Sequence, residues 1–134
     1  MPPELPSCGI AGPATLEQVR HLAEWVRDRC RGAGIGEGAQ IDLELAVVEA
    51  ANNIVEHAGG QRIGLDFVVD RGTVAITICD DGRAVPPGLF SECHETPLDA
   101  AGGRGLGIVR ACVDAVQYAS ADGVNRLTLT KLLL

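Results

Sequence analysis

The sequence predicts an α/β (α+β) two-layer sandwich, with helices covering one face of a mixed, mostly antiparallel sheet. Two segments with apolar residues at helical spacing precede two segments that alternate apolar and other residues. A third helical stripe and a last alternating run follow a long irregular connection. The 134 residues suffice for a single domain, 1–134, with a real core. Aromatics are only 3% of the chain, so that core must be built from Leu, Val, Ile and Ala.

A short strand near Ser7–Ile10 can open the order. Thr15-Leu-Glu-Gln18 reads as a helix start, with Thr15 as the cap and Gln18 three residues on. Leu16, Val19, Leu22, Ala23 and Val26 continue the stripe to about Arg31, where Gly32-Ala-Gly-Ile-Gly-Glu-Gly38 breaks it. Arg20, Arg27 and Arg31 recur along this helix as a basic strip, which reads either as a partner surface or as a solvated face.

The second helix, Ile41–His57, carries the most informative pattern. At about 100° per residue, Ile41, Leu45, Val48 and Val55 fall on one side and Leu43, Val47, Ala50 and Ile54 on the opposite side. Asp42, Glu49, Asn53, Glu56 and His57 form a narrow polar stripe between them. A helix apolar on two sides is expected to be largely covered, which would turn the stripe toward a cavity. Carboxylates and amides are costly to bury without partners, and a ligand or cation would supply them. The bland reading is the solvated stripe of an amphipathic helix, and the helix alone does not decide. His57 is expected to cap or pack at the helix end rather than to catalyse.

Ile63, Leu65, Phe67 and Val69 alternate as a strand, Arg71-Gly72 makes a turn, and Val74, Ile76 and Ile78 alternate again. Period two then carries Asp80 onto the face of those three apolar side chains. A carboxylate there can accept a hydrogen bond from an exocyclic amine such as that of adenine, whereas Asp81 reads as an ordinary turn residue. From Asp81 to about Gly102 the pattern dissolves, a length of connection that is usually functional. Leu106, Val109, Val113 and Val116 set a third helix, and Leu127–Leu133 reads as the last strand.

Several function classes are excluded. No apolar run approaches a membrane span. The first residues lack the basic and apolar regions of a signal peptide, so a cytoplasmic location is expected. Five scattered cysteines, never spaced Cys-x-x-Cys, argue for reduced thiols, and nothing completes a metal set around Cys93-His94. A net charge of −7 without a Lys/Arg cluster argues against direct nucleic-acid binding.

Gly102-Gly-Arg-Gly-Leu-Gly107 immediately precedes the third helix, where glycines let a phosphate approach and free amides point at its oxygens. Its place along the chain differs from a dinucleotide-binding unit, and it lacks the Lys-Ser/Thr of a P-loop.

Glu49-x-x-x-Asn53, Asp80-x-Gly82 and Gly103-x-Gly105-x-Gly107 together resemble, in order and spacing, the N, G1 and G2 boxes of the ATP-binding superfamily of gyrase, histidine kinases and MutL. Within it the chain is similar to the anti-sigma factor serine kinases. Val48–His57, Gly103–Arg110 and Asn125–Lys131 carry that likeness, which extends over nearly the whole chain from about Thr15. The resemblance implies the histidine-kinase-like ATPase (Bergerat) fold, with ATP and Mg²⁺ as its ligands. It implies a kinase that sequesters a sigma factor and phosphorylates a serine of an anti-sigma factor antagonist, with homodimerisation left open. By resemblance, Asn53 would coordinate Mg²⁺ and Glu49 would be the general base. Asp80 would read the adenine amine, with Gly82 and Ala84 beside the base. Gly103, Arg104, Gly105, Leu106 and Gly107 would line the phosphates under a lid of about 85–103, the glycines at 105 and 107 forming the cradle. Asn125 would lie near the nucleotide, where the family often has a threonine.

Two departures from the family pattern stand out: Ala84 replaces the second G1 glycine and Val124 the glycine before the last strand. Alanine restricts φ and would narrow the adenine mouth. Two rivals follow. A sensor histidine kinase would need a helical segment bearing a phosphoacceptor histidine ahead of the first helix, and none is expected here. A catalytically weak or inactive nucleotide-binding module that sequesters a partner is left open by Ala84.

Overall fold

A computed structural model describes residue 5, residues 8–84 and residues 103–133, the first four of the last group by backbone only. The elements run β1 (Ile10–Pro13), α1 (Leu16–Gly32), α2 (Glu37–His57), β2 (Arg62–Asp70), β3 (Thr73–Asp80), α3 (Gly103–Cys112), β4 (Ala115–Ala121) and β5 (Val124–Leu132). The sheet has the order β1-β2-β3-β5-β4. All four pairings are antiparallel, so the expected mixed sheet is corrected to a purely antiparallel one among the described residues.

Two tight corners set its registers. Arg71 and Gly72 both have positive φ, 50° and 76°, and join β2 to β3; Asp122 and Gly123, at 55° and 78°, join β4 to β5. Consecutive left-handed residues give the hairpin turn whose twist matches the strands, and glycine takes the second position without strain. The pairing Ile63↔Asp80, Leu65↔Ile78 and Phe67↔Ile76 puts these residues on one face. Leu127 and Leu129 join them through β5.

The helices cover that face. Leu22 and Val26 of α1 and Leu43, Ala46, Val47 and Ala50 of α2 form one cluster with Ile63, Leu65, Ile76, Ile78 and Leu129. Thr15 caps α1 as expected, its Oγ1 accepting from the Gln18 N–H at 3.1 Å. Between α1 and α2, buried Gln40 and Arg27 both donate to the Glu44 carboxylate, at 3.2 and 2.8 Å.

Three expectations shift. The first strand lies at Ile10–Pro13, not Ser7–Ile10. The two apolar sides of α2 are unequally covered: Leu43, Val47 and Ala50 are buried, whereas on the other side Val48 and Val55 are half-buried against the core and Ile41 and Leu45 are 53% and 42% exposed. As a member of a single helical layer, α2 buries most completely the side facing the sheet. The third helix ends at Cys112, and Val116 belongs to a strand, β4, that the helical spacing concealed. Asp114 enforces the change, its N–H donating to Thr130 O at 2.8 Å and its carboxylate accepting from Leu132 N at 2.7 Å.

Candidate nucleotide site

The site is built where the C-terminus of α2 meets the end of β3. Ala58 caps α2, its N–H donating to Ile54 O at 2.9 Å. The Arg83 N–H donates to Ala58 O at 2.8 Å, and its guanidinium donates to His57 O at 2.7 Å. These bonds satisfy carbonyls the helix end leaves unpaired. The contact is close enough to require glycine at 82: a Cβ there would lie 2.6 Å from Ala58 Cβ and from Ala58 O. Gly82 is thus needed by the protein's own packing, a role its glycine motif does not announce. Asp81 lies in the bend after β3, but its Oδ1 accepts from the distant Gln61 and Arg62 N–H groups at 2.8 and 3.0 Å, while the local turn bond, from the Gly82 N–H, goes to Asp80.

Asp80 lies on the helix-covered face and is only 3% exposed. Burial pushes its carboxyl above the ordinary range, and the neighbouring Asp81 adds to this. The Gly82 N–H and the Asn125 amide pull the other way. Both donate to Oδ2, at 2.9 and 3.1 Å, while Oδ1 has no donor among the described residues. Asn125 sits directly opposite Asp80 in the β3–β5 register. It also donates to Gly82 O at 2.9 Å, and its own Oδ1 accepts from Ser120 Oγ at 2.7 Å.

On α2, Glu49 and Asn53 are both half-buried and one turn apart. The Asn53 Nδ2 is buried with no hydrogen-bond partner among the described residues, an exception among buried polar atoms that a ligand's acceptor would satisfy. The rest of the stripe does not share this environment. Asp42 pairs with Lys131 at 3.2 Å, and Glu56 and His57 are exposed. The polar stripe therefore faces a site only at its middle. Among the described residues no group of three or more His, Cys, Asp or Glu converges as a metal cluster. The Nδ2 group needs an acceptor such as a phosphate oxygen, and the amide oxygen of the same side chain is the atom that could join a cation held mainly by a ligand's own oxygens.

The glycines at 103, 105 and 107 form the opening turns of α3 rather than a loop ahead of it. A Cβ at Gly107 would meet no atom of the described residues within 4 Å, so none of their contacts demands glycine there. Nothing further is assigned to Arg104 and Leu106, which share these turns. Most of the expected lid at 85–103 lies outside the described residues, as does Cys93. Ala84 is exposed and has no positive φ, and the same holds for the φ of Val124, which is buried. Neither departure from glycine strains the backbone.

Sequence reasoning brought out Glu49, Asn53, Asp80, Gly82 and Asn125, but not Ala58, Arg83 or Ser120. Ser120 would have emerged from the Asp122-Gly123 corner, because a hairpin there sets Ser120 opposite Asn125.

This arrangement, an antiparallel sheet with one helical layer and a buried aspartate at the end of β3, agrees with the model of the histidine kinase-like ATPase domain, which matches residues 12–131. The chain belongs to that family. Serine-protein kinase RsbW of Halalkalibacterium halodurans is 31% identical over 102 residues, 69% of this chain and 62% of its own length. Serine/threonine-protein kinase BtrW of Bordetella bronchiseptica is 39% identical over 95 residues, 66% of this chain and 67% of its own. Serine/threonine-protein kinase RsbT of Bacillus subtilis is 29% identical over 117 residues, covering 78% and 86%. The crystal structure of the RsbU and RsbW domains of Rv1364c from Mycobacterium tuberculosis shares the fold, with a TM-score of 0.64 at 20% identity, over 96% of this chain and 33% of that one. No helix among the described residues is long and apolar enough to cross a membrane.

Proposed function

We propose that this protein is an anti-sigma factor with protein-serine kinase activity, transferring the γ-phosphate of ATP to a serine of an antagonist protein in the cytoplasm. The observation that carries this is the orphaned Asn53 amide, one turn from Glu49, on a helix whose end is fastened to the Asp80–Gly82 corner. The serine kinases among its relatives support the same reading.

Asp80 accepts the adenine amine, and the corner at Gly82 and Ala84 flanks the base. Asn53 would hold Mg²⁺, which when bound neutralises phosphate charge. The first turns of α3, Gly103–Gly107, offer backbone amides to the phosphates, with 85–103 as the lid. Glu49 takes the proton of the acceptor serine hydroxyl as the serine oxygen attacks the γ-phosphorus, and the bond from that phosphorus to the β–γ bridging oxygen breaks to release ADP. Positioning and charge neutralisation suffice for such a transfer. The alternative, an inactive binding module, gains nothing from Ala84, whose backbone is unstrained.

The test is incubation of the protein with γ-labelled ATP, Mg²⁺ and candidate antagonist proteins. Label on an antagonist serine is expected. ATP binding without transfer to any antagonist that it binds would leave the module reading instead.

A further inference from the structure

Asn125 has a more specific part to play than proximity to a nucleotide. Its amide nitrogen faces three acceptors: Asp80 Oδ2 at 3.1 Å, Gly82 O at 2.9 Å and Arg83 O at 3.4 Å. Its amide oxygen receives the Ser120 hydroxyl at 2.7 Å. The orientation of the amide is therefore determined by chemistry. Turned over, it would aim a carbonyl oxygen at a carboxylate and two carbonyls, none of which can donate. Ser120, opposite Asn125 in the β4–β5 register, holds the amide from its other side; its hydroxyl can donate or accept, so the three acceptors set the orientation and Ser120 braces it. With Oδ2 held by Asn125 and by the Gly82 N–H, the carboxylate cannot rotate freely, and Oδ1 is left as its unengaged acceptor among the described residues.

We infer that Asn125, braced by Ser120, is the positioning residue that makes this site select a 6-amino purine over a 6-oxo purine. This rests on the proposed nucleotide reading. An amine offers a proton to a fixed, unprotonated acceptor; a 6-oxo group would set its oxygen against it. A carboxylate free to turn, or to take up a proton, would lose the distinction, because a protonated carboxyl can itself donate to the 6-oxo group. The same amide ties the Gly82 and Arg83 carbonyls to β5, so the corner that flanks the base stays in place with alanine, not glycine, at 84.

The test is calorimetric titration of the full chain with ATP and with inosine triphosphate, which carries a carbonyl in place of the amine. The parent should prefer ATP by about tenfold or more, the worth of a hydrogen bond to a charged group. Asn125→Leu, of the same branched outline but without polar atoms, should bring that ratio close to one, mainly by weakening ATP. Ser120→Ala should lower it in the same direction by less. A merely structural role would weaken both nucleotides alike and keep the ratio. Ratios equal to the parent's in both variants overturn the inference, and Ser120→Ala alone decides if Asn125→Leu does not fold. Asp80→Asn separates the levels. If it abolishes the preference while the other two keep it, only the role of Asn125 falls. If the parent shows no preference, the adenine reading of Asp80 falls with it.

Discussion

A buried carboxylate such as Asp80 costs the nucleotide-free fold stability, and the proposed adenine contact would give it a use. Its neighbours Gly82 and Asn125 offset only part of the desolvation that raises its pKa. An acid with a raised folded pKa holds its proton more tightly folded than unfolded. The stability linked to that proton is fully present below the ordinary carboxylate range and lost as pH rises through the folded value. At neutral pH, Asp80→Asn should therefore raise the melting temperature of the nucleotide-free protein, with the gain fading as pH is lowered into the carboxylate range. The same change should weaken ATP binding by on the order of 10–150-fold, from about 1.5–3 kcal/mol for a hydrogen bond to a charged acceptor. Thermal melts at several pH values and calorimetry on one preparation read both effects, and unchanged ATP affinity would dismiss the adenine role. Glu49 has a different signature. Glu49→Gln keeps the shape, so ATP should still bind while phosphoryl transfer falls by about 10²–10⁴-fold. Asn53→Ala should instead damage Mg²⁺-dependent nucleotide binding. Parental transfer rates in Glu49→Gln would mean that the base lies elsewhere.

Elements matter here chiefly through how their ends are fastened. Gly82 meets the Ala58 cap so closely that Gly82→Ala must push β3 away from α2, because one of the atoms within 2.6 Å is a backbone carbonyl oxygen that cannot move alone. Overpacking of this kind costs about 1–3 kcal/mol. A lowered melting temperature in the nucleotide-free protein is expected, since the clash is internal; an unchanged one would show that the corner yields. Much of this architecture was legible in the chain. Strict alternation carried Asp80 onto the covered face, and Arg71-Gly72 announced its hairpin. β4 was not legible, because Leu106, Val109, Val113 and Val116 keep a helical spacing through the point where α3 stops. What stops it is Asp114 bonding to β5, a contact between residues far apart in sequence. Lys131 completes that junction, donating to Cys112 O at 2.9 Å at the end of α3 and pairing with Asp42 on α2. Periodicity also overstated the cover on α2. An apolar spacing shows what a face can bury, and only the neighbouring elements decide whether it does so. In the site, the pairing of Asp80 with Asn125 is set by register, and the orphaned state of Asn53 by packing; neither is written in residue type.

At the scale of the whole molecule, the proposed function asks one sheet and its helical layer to serve two partners. The basic strip on α1 is weaker than its spacing suggests. Arg27 is engaged with Glu44 at 2.8 Å, and Arg20 lies 3.8 Å from Glu17 on an exposed surface. Arg27→Ala should therefore loosen α1 from α2 and lower the melting temperature. Arg20→Ala and Arg31→Ala should mainly slow encounter with an acidic partner surface, an effect that fades with added salt. The apolar residues Ile41 and Leu45 on the outer side of α2 are exposed as well. Under the proposed function, the described elements would carry partner surfaces as well as the nucleotide site. A sigma factor and an unphosphorylated antagonist are accordingly expected to compete for this protein, and transfer of phosphate to the antagonist serine should end its complex, since a doubly charged group then faces a protein of net charge −7. Pull-down of each partner against increasing amounts of the other, with and without ATP, measures this directly. Mutual displacement, with release of the antagonist only when hydrolysable ATP is present, is the expected pattern. Simultaneous binding of both, indifferent to ATP, would contradict the switch and leave a scaffold in its place.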